Sequence, residues 1–176
     1  MRGPVRVRPF ASSEWATLRA LRLRALADAP DAFARTRAEE EAIPESEWQR
    51  RLAETVDADW QISVLALCDE EPVGLAYGRL EEPGSEKANL YSMWVAPEAR
   101  RTGAGRALVA GVIDWARAAG ARRLLLEVTE SNTAALALYR SLGFRGTGVR
   151  RPLREGSPLA VKGLALDLSA PSGSIR

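Results

Sequence analysis

Apolar and charged positions alternate along Val5-Arg-Val-Arg-Pro-Phe10, the two-residue period of a strand. From Glu14 to about Ala27 the period lengthens. Trp15, Leu18, Leu21 and Ala25 fall on one face of a helix, with Arg19 and Arg22 on another, and Ser12 and Ser13 stand where an N-cap is wanted. Ala29-Pro-Asp31 ends this helix. A second is predicted from Pro44, a favoured first-turn residue, with Glu45 and Glu47 near the positive end of the dipole and Trp48, Leu52 and Val56 turned inward. Residues 61–68 and 72–81 flank the turn Asp69-Glu-Glu-Pro72 and read as an antiparallel hairpin. The turn signal Pro83-Gly84-Ser85 leads into a strand from Lys87 whose second half, residues 90–95, is rich in aromatic and β-favouring side chains. Pro97 ends it, because proline offers no ladder donor.

Beyond it, Leu108, Val112, Trp115 and Ala119 recur at helical spacing up to a C-terminal cap at Gly120. Residues 122–128 are nearly all apolar, as in a strand buried on both faces. A helix capped by Gly143 follows, then closing strands at about 144–151 and 159–168. Residues 169–176 are small and polar and read as a flexible tail. The pattern predicts one domain over residues 1–168, of mixed α and β class.

The chemistry concentrates between the strand at residues 90–95 and the helix after it. Gly103 and Gly105 bracket Ala104 at the helix start, where unpaired N–H groups and the macrodipole favour an anion, and Arg100, Arg101 and Arg106 add full charges. A diphosphate suits such a loop. A nucleoside-triphosphate loop would need Lys and then Ser or Thr after Gly105, where Arg106-Ala107 stands. The dinucleotide fingerprint would put its third glycine at Leu108.

What remains is Arg100-Arg101-Thr102-Gly103-Ala104-Gly105, an R-x-x-G-x-G run placed after Val95-Ala-Pro97. It resembles the coenzyme A loop of the Gcn5-related N-acetyltransferase (GNAT) superfamily. A second block, N-x-x-A-x-x-x-Y-x-x-x-G-F at Asn132, Ala135, Tyr139, Gly143 and Phe144, follows the strand that ends Leu124-Leu-Leu-Glu-Val128. It is similar to that of the bacterial enzymes that acetylate ribosomal-protein N-termini. The resemblance implies a mixed, mostly antiparallel sheet with helices on both faces and two central parallel strands, residues 90–95 and 122–128, that splay apart. It implies acetyl-CoA as co-substrate, with the pantetheine arm bonded to main chain near Met93, Trp94 and Val95 and the pyrophosphate on the loop from Arg100 through Arg101, Thr102, Gly103, Ala104 and Gly105 to Arg106.

The reaction implied is direct attack of a primary amine on the thioester, with a main-chain N–H near Val95 for the oxyanion. Tyr139 holds the family's general-acid position, and its alternative is a ring buried between Leu136 and Leu142. Glu127 is the first choice for general base and Glu81 and Glu82 are the reserves; its alternative is a carboxylate in a salt bridge. Asn132 either caps a helix or also bonds the pantetheine amide. A non-catalytic acyl-CoA sensing module is the other function class compatible with the loop.

Composition narrows the rest. The 176 residues contain no histidine, which removes Ser-His-Asp and Cys-His pairs and the usual zinc sites, so no metal is expected. The lone cysteine, Cys68, ends an apolar strand and reads as core, consistent with a reducing compartment and a cytoplasmic location. A formal charge of +2 gives no argument for nucleic acid, and no run approaches the about 20 apolar residues of a membrane span. The acidic run Glu39-Glu40-Glu41 is either a solvated surface or a lure for a cationic amine. The acceptor is left as a small-molecule amine or a peptide or protein amine, and the protein as a monomer or homodimer.

Overall fold

In the computed structural model, which describes residues 3–169, the alternating start of the chain forms strand β1 (Val5–Pro9). A 3-10 turn over Ser12–Glu14 leads into helix α1 (Trp15–Asp28). Neither serine caps it. Instead the Glu14 carboxylate accepts from the Ala11 N–H at 2.8 Å and grips both Arg8 amino groups at 2.7 Å, so an acid, not a hydroxyl, ties down this turn.

Arg22, set by its spacing on a different face of α1 from the apolar residues, is nonetheless withdrawn from solvent. It is buried, stacked over the Phe33 ring and bonded to Glu40 at 3.3 Å. Glu40 belongs to a helix the periodicity does not reveal, α2 (Arg37–Glu41), formed by a capping box in which Thr36 and Glu39 each accept from the other's backbone N–H. The acidic run is therefore not one solvated surface. Glu39 and Glu41 are exposed, but Glu40 faces inward and needs Arg22 to be buried at all.

Helix α3 (Glu45–Asp57) begins one residue after Pro44, which caps it, and buries Trp48 and Leu52. Val56, expected to turn inward, stays 45% exposed and lines a cleft of about 360 Å³ together with Phe10, Ile62 and Trp115. The hairpin is present as β2 (Gln61–Cys68) and β3 (Glu71–Leu80), joined through Asp69 and Glu70, both in the left-handed region that a two-residue hairpin turn requires.

The remaining elements are β4 (Lys87–Val95), α4 (Ala104–Ala118), β5 (Arg123–Thr129), α5 (Thr133–Ser141), β6 (Arg145–Pro152) and β7 (Ala160–Asp167). Gly120 and Gly143 close α4 and α5 with φ of +86° and +95°, as the sequence indicated. The strands make one seven-stranded sheet in the order β1-β2-β3-β4-β5-β7-β6, parallel only between β4 and β5. Helix α4 covers one face, with Leu108, Val109 and Val112 fully buried against it, while α1 and α3 pack on the other.

Strand β5 is not buried on both faces. Leu124, Leu126 and Val128 are buried, Leu125 is half-buried and Glu127 is exposed, because the face opposite α4 is uncovered at the middle of the sheet. The tail expected at residues 169–176 lies, from residue 170 on, outside the described residues.

Candidate active site

The two parallel strands pair over Lys87 with Arg123, Ala88 with Leu124 and Asn89 with Leu125, and no further. The cause is local. Ser92 adopts φ +54°, rare for a residue with a Cβ, and the register of β4 against β3 shifts between Leu75 and Tyr77. Such a bulge bends the strand and swings its end away from β5. Past the bulge Trp94 lies opposite Leu75 and Val95 opposite Gly74, and the Ala96 N–H donates to Val73 O at 2.8 Å. Hydrogen-bonded and non-hydrogen-bonded pairs alternate in an antiparallel ladder, so Val95 turns its own N–H and C=O away from β3, into the gap.

Above the gap α4 begins. Gly103 is its N-cap at φ +93°, a conformation in which a Cβ would be strained. The Ala107 N–H donates to Gly103 O at 2.9 Å, leaving the amides of Ala104, Gly105 and Arg106 as the helix's outward-pointing donors. A Cβ at Gly105 would stand 3.2 Å from both Met93 Cε and Leu138 Cδ2, so glycine lets this terminus settle against β4 and α5. The Thr102 hydroxyl donates to Ala99 O at 2.6 Å and shapes the loop. Arg101, at φ +64°, is exposed, and Arg106 donates to Ser141 Oγ at 2.8 Å.

Arg100 is engaged differently. Its Nε donates to Val95 O at 3.1 Å and its Nη2 to Asp28, which also accepts from Trp94 Nε1 at 2.8 Å. Trp94 itself is buried, with Arg24 stacked over its ring.

Tyr139, on α5, is 6% exposed, with its ring edge-on to Phe144. Burial pushes its phenol well above the ordinary tyrosine value. No hydrogen bond among the described residues engages its hydroxyl, so the buried-ring and proton-donor readings are both compatible with this geometry. Asn132 Oδ1 accepts from the Ala135 N–H at 3.1 Å and caps α5.

Glu127 sits on the open face of the sheet, together with Tyr77 and Arg79 of β3 and Tyr91 of β4, whose phenol is raised by partial burial and, to a smaller degree, by the Glu127 and Glu81 charges. Tyr77 stacks on Tyr91 with ring centroids 6.0 Å apart. Both Glu127 oxygens are taken by Arg151, with Nε at 2.8 Å from Oε1 and Nη2 on Oε2. Of the reserve acids, Glu81 pairs with Lys87 at 3.7 Å and Glu82 is exposed. Cys68 is buried at the end of β2, its thiol near Gly3 O.

The fold thus gathers Met93, Trp94, Val95 and the loop from Arg101 to Arg106 around the gap, while the Arg100 guanidinium, expected on the pyrophosphate, is committed instead to Val95 O and Asp28. Tyr139 and Asn132 lie on the α5 side, and Glu127 on the open face of β5. Sequence reasoning missed Ser92, Asp28, Tyr91 and Arg151. None of them carried a local signal, and Arg151 reaches Glu127 from β6 across the intervening strand β7.

A sequence model of the acetyltransferase (GNAT) family matches residues 24–144. The ribosomal protein bS18-alanine N-acetyltransferase of Escherichia coli K12 is 46% identical over 79 residues, covering 43% of this chain and 53% of that protein. The streptothricin acetyltransferase of Streptomyces lavendulae is 34% identical over 105 residues, covering 60% and 55%. The chain spans about half the length of these curated relatives. The structure of a Salmonella typhimurium acetyltransferase solved with acetyl-CoA superposes with a TM-score of 0.77 over 97% of each chain, at 20% identity.

Proposed function

This chain belongs to the GNAT family of N-acetyltransferases, and from that premise we propose that it transfers an acetyl group from acetyl-CoA to a primary amine by direct attack, without an acyl-enzyme. The observation that carries the reading is the parting of β4 and β5 beyond Asn89 and Leu125, directly below a helix start with unpaired amides. The residues fit the coenzyme. The amides of Ala104, Gly105 and Arg106, with the charges of Arg101 and Arg106, suit a pyrophosphate. The gap-side main chain of Met93 suits an amide of an extended pantetheine arm, taken up as an added strand, while the Val95 carbonyl is held by Arg100 and its N–H is kept for the thioester oxygen.

Acetyl-CoA supplies the thioester, and this chain's groups do the rest. The Val95 N–H stabilises the charge that develops on the thioester oxygen as the amine nitrogen bonds to the carbonyl carbon. The C–S bond breaks, the leaving sulfur takes a proton from the Tyr139 hydroxyl, which burial keeps protonated, and the extra proton that the attacking nitrogen sheds to become the amide returns Tyr139 to its neutral form through solvent. An alkylammonium acceptor with a pKa of about 10 must first lose a proton. Glu127 takes it, through water, since Arg151 occupies its direct contacts. Asn132 keeps α5, and with it Tyr139, in place, and its amide NH2 is left for the pantetheine.

The acceptor enters across the open face bearing Tyr77, Tyr91 and Glu127. The relatives' names point to a peptide amine in one case and an antibiotic amine in another. The test is incubation of the protein and labelled acetyl-CoA with a panel of amines and peptides, reading label transfer by mass spectrometry and thiol release by absorbance. Acceptor-dependent release supports the transferase. Tight coenzyme binding with no release in any well favours the sensing module.

A further inference from the structure

Arg100 opens the R-x-x-G-x-G run, yet its guanidinium is committed to two protein acceptors, Val95 O and the Asp28 carboxylate. Asp28 is the last residue of α1, a helix on the opposite face of the sheet from α4. The same Asp28 oxygen accepts from the Trp94 indole, and Arg24, one turn earlier on α1, pairs with Glu98 in the connection after β4 and stacks over Trp94. The end of α1 is therefore fastened to both sides of Val95. Trp94 is held through its side chain. The Val95–Ala96 peptide is held at its carbonyl by Arg100 and at its N–H by Val73 O. Of the gap-side polar groups of Val95, the carbonyl is satisfied and the N–H alone is left.

We infer that Asp28 and Arg100 are positioning residues for the Val95 amide, aiming its N–H at the place where the thioester oxygen becomes charged. The inference rests on the transferase reading given above. A carboxylate is needed at position 28 because it fixes a guanidinium fork whose remaining N–H is what caps Val95 O. A lysine at position 100 has no fork with which to hold both acceptors in one plane. Misplacement of a charge-stabilising donor by a fraction of an ångström acts on the transition state and far less on the bound coenzyme.

The test uses Asp28→Asn, which keeps an acceptor for the Trp94 indole and removes the charge, and Arg100→Lys, which keeps the charge and loses the fork. For both, kcat is expected to fall about tenfold. The dissociation constant of coenzyme A should shift by less than about threefold, and the melting temperature should barely move; the double variant should be no worse than Arg100→Lys alone, as for residues acting through one contact. A purely structural tie would lower the melting temperature and leave kcat of the folded fraction intact, and that result overturns the inference. So do independent, additive effects of the two changes. If the wild-type protein itself gives no saturable heat with coenzyme A, the coenzyme site fails first. If the wild type binds and turns over while Asp28→Asn keeps full kcat, only the positioning role fails. Should Asp28→Asn not fold, Arg100→Lys carries the same readouts.

Discussion

Replacing Tyr139 by phenylalanine separates chemistry from packing, because the ring packs in the core while the hydroxyl is the proton donor proposed above. The ring is 6% exposed and edge-on to Phe144, so its loss as alanine would cost about 3–5 kcal/mol of stability, as for other buried aromatics. The hydroxyl has no protein hydrogen bond among the described residues, so removing it breaks none, and stability should stay within about 1 kcal/mol. As proton donor to the leaving sulfur, the same hydroxyl is worth about 100-fold or more in rate, about 2.7 kcal/mol at 1.36 per tenfold.

Tyr139→Phe is thus expected to melt near the wild type, to bind coenzyme A unchanged and to lose at least two orders of magnitude in kcat, followed as thiol release with whichever amine supports turnover. The pH behaviour follows from the same burial. The phenol is raised in the fold, so burying it neutral contributes stability that is full below the ordinary value of about 10 and is lost as pH rises through the folded value. No alkaline fall in activity below about pH 10 should arise from this group. A phenylalanine variant that turns over within threefold of wild type would refute the assignment.

Glu127→Gln should lower kcat/KM about 100-fold at neutral pH without changing the KM for acetyl-CoA, and less loss at alkaline pH, where the amine is already neutral, would mark the missing proton acceptor. Cys68→Ser should keep most activity, since Cys68 is buried at a strand end; complete loss in a folded variant would reopen an acyl-enzyme route. The Glu14 carboxyl is held down to about 2, chiefly by Arg8 and also by the Ala11 N–H, against the opposing effect of its burial. Its stabilisation is present above the unfolded value of about 4.3 and fades as pH falls toward 2. With Arg8 partly exposed, Glu14→Gln should cost about 1 kcal/mol at pH 7, read as a melting temperature lower by about 2–4 °C, and progressively less as pH falls through about 2.

Strand and helix positions were legible wherever period and punctuation agreed. The hairpin, the glycine loop and the block from Asn132 to Phe144 lie in the structure within a residue or two of where the pattern put them. Helix α2 was missed although Thr36 and Glu39 spell a capping box, because a five-residue helix carries no apolar repeat. The burial of Arg22 was not legible because nothing local announces Phe33 and Glu40 as its cover. The same limit hid the centre of the site. Ser92 is in a left-handed conformation that its neighbours in sequence do not ask for, and Asp28 meets Trp94 and Arg100 from 66 and 72 residues away.

A seam that closes for only three residues leaves the sheet with two inner borders as well as its two outer ones. The gap-facing main-chain groups that no protein partner engages, such as the Val95 N–H, are open to any extended chain that reaches them, which in a crowded solution means other proteins. An occupant that threads this slit would bind the halves together and mask the sticky borders at once. Resistance to proteolysis and to clumping should then climb with coenzyme concentration, so the cell's acyl-carrier supply would govern how long each copy of the protein lasts.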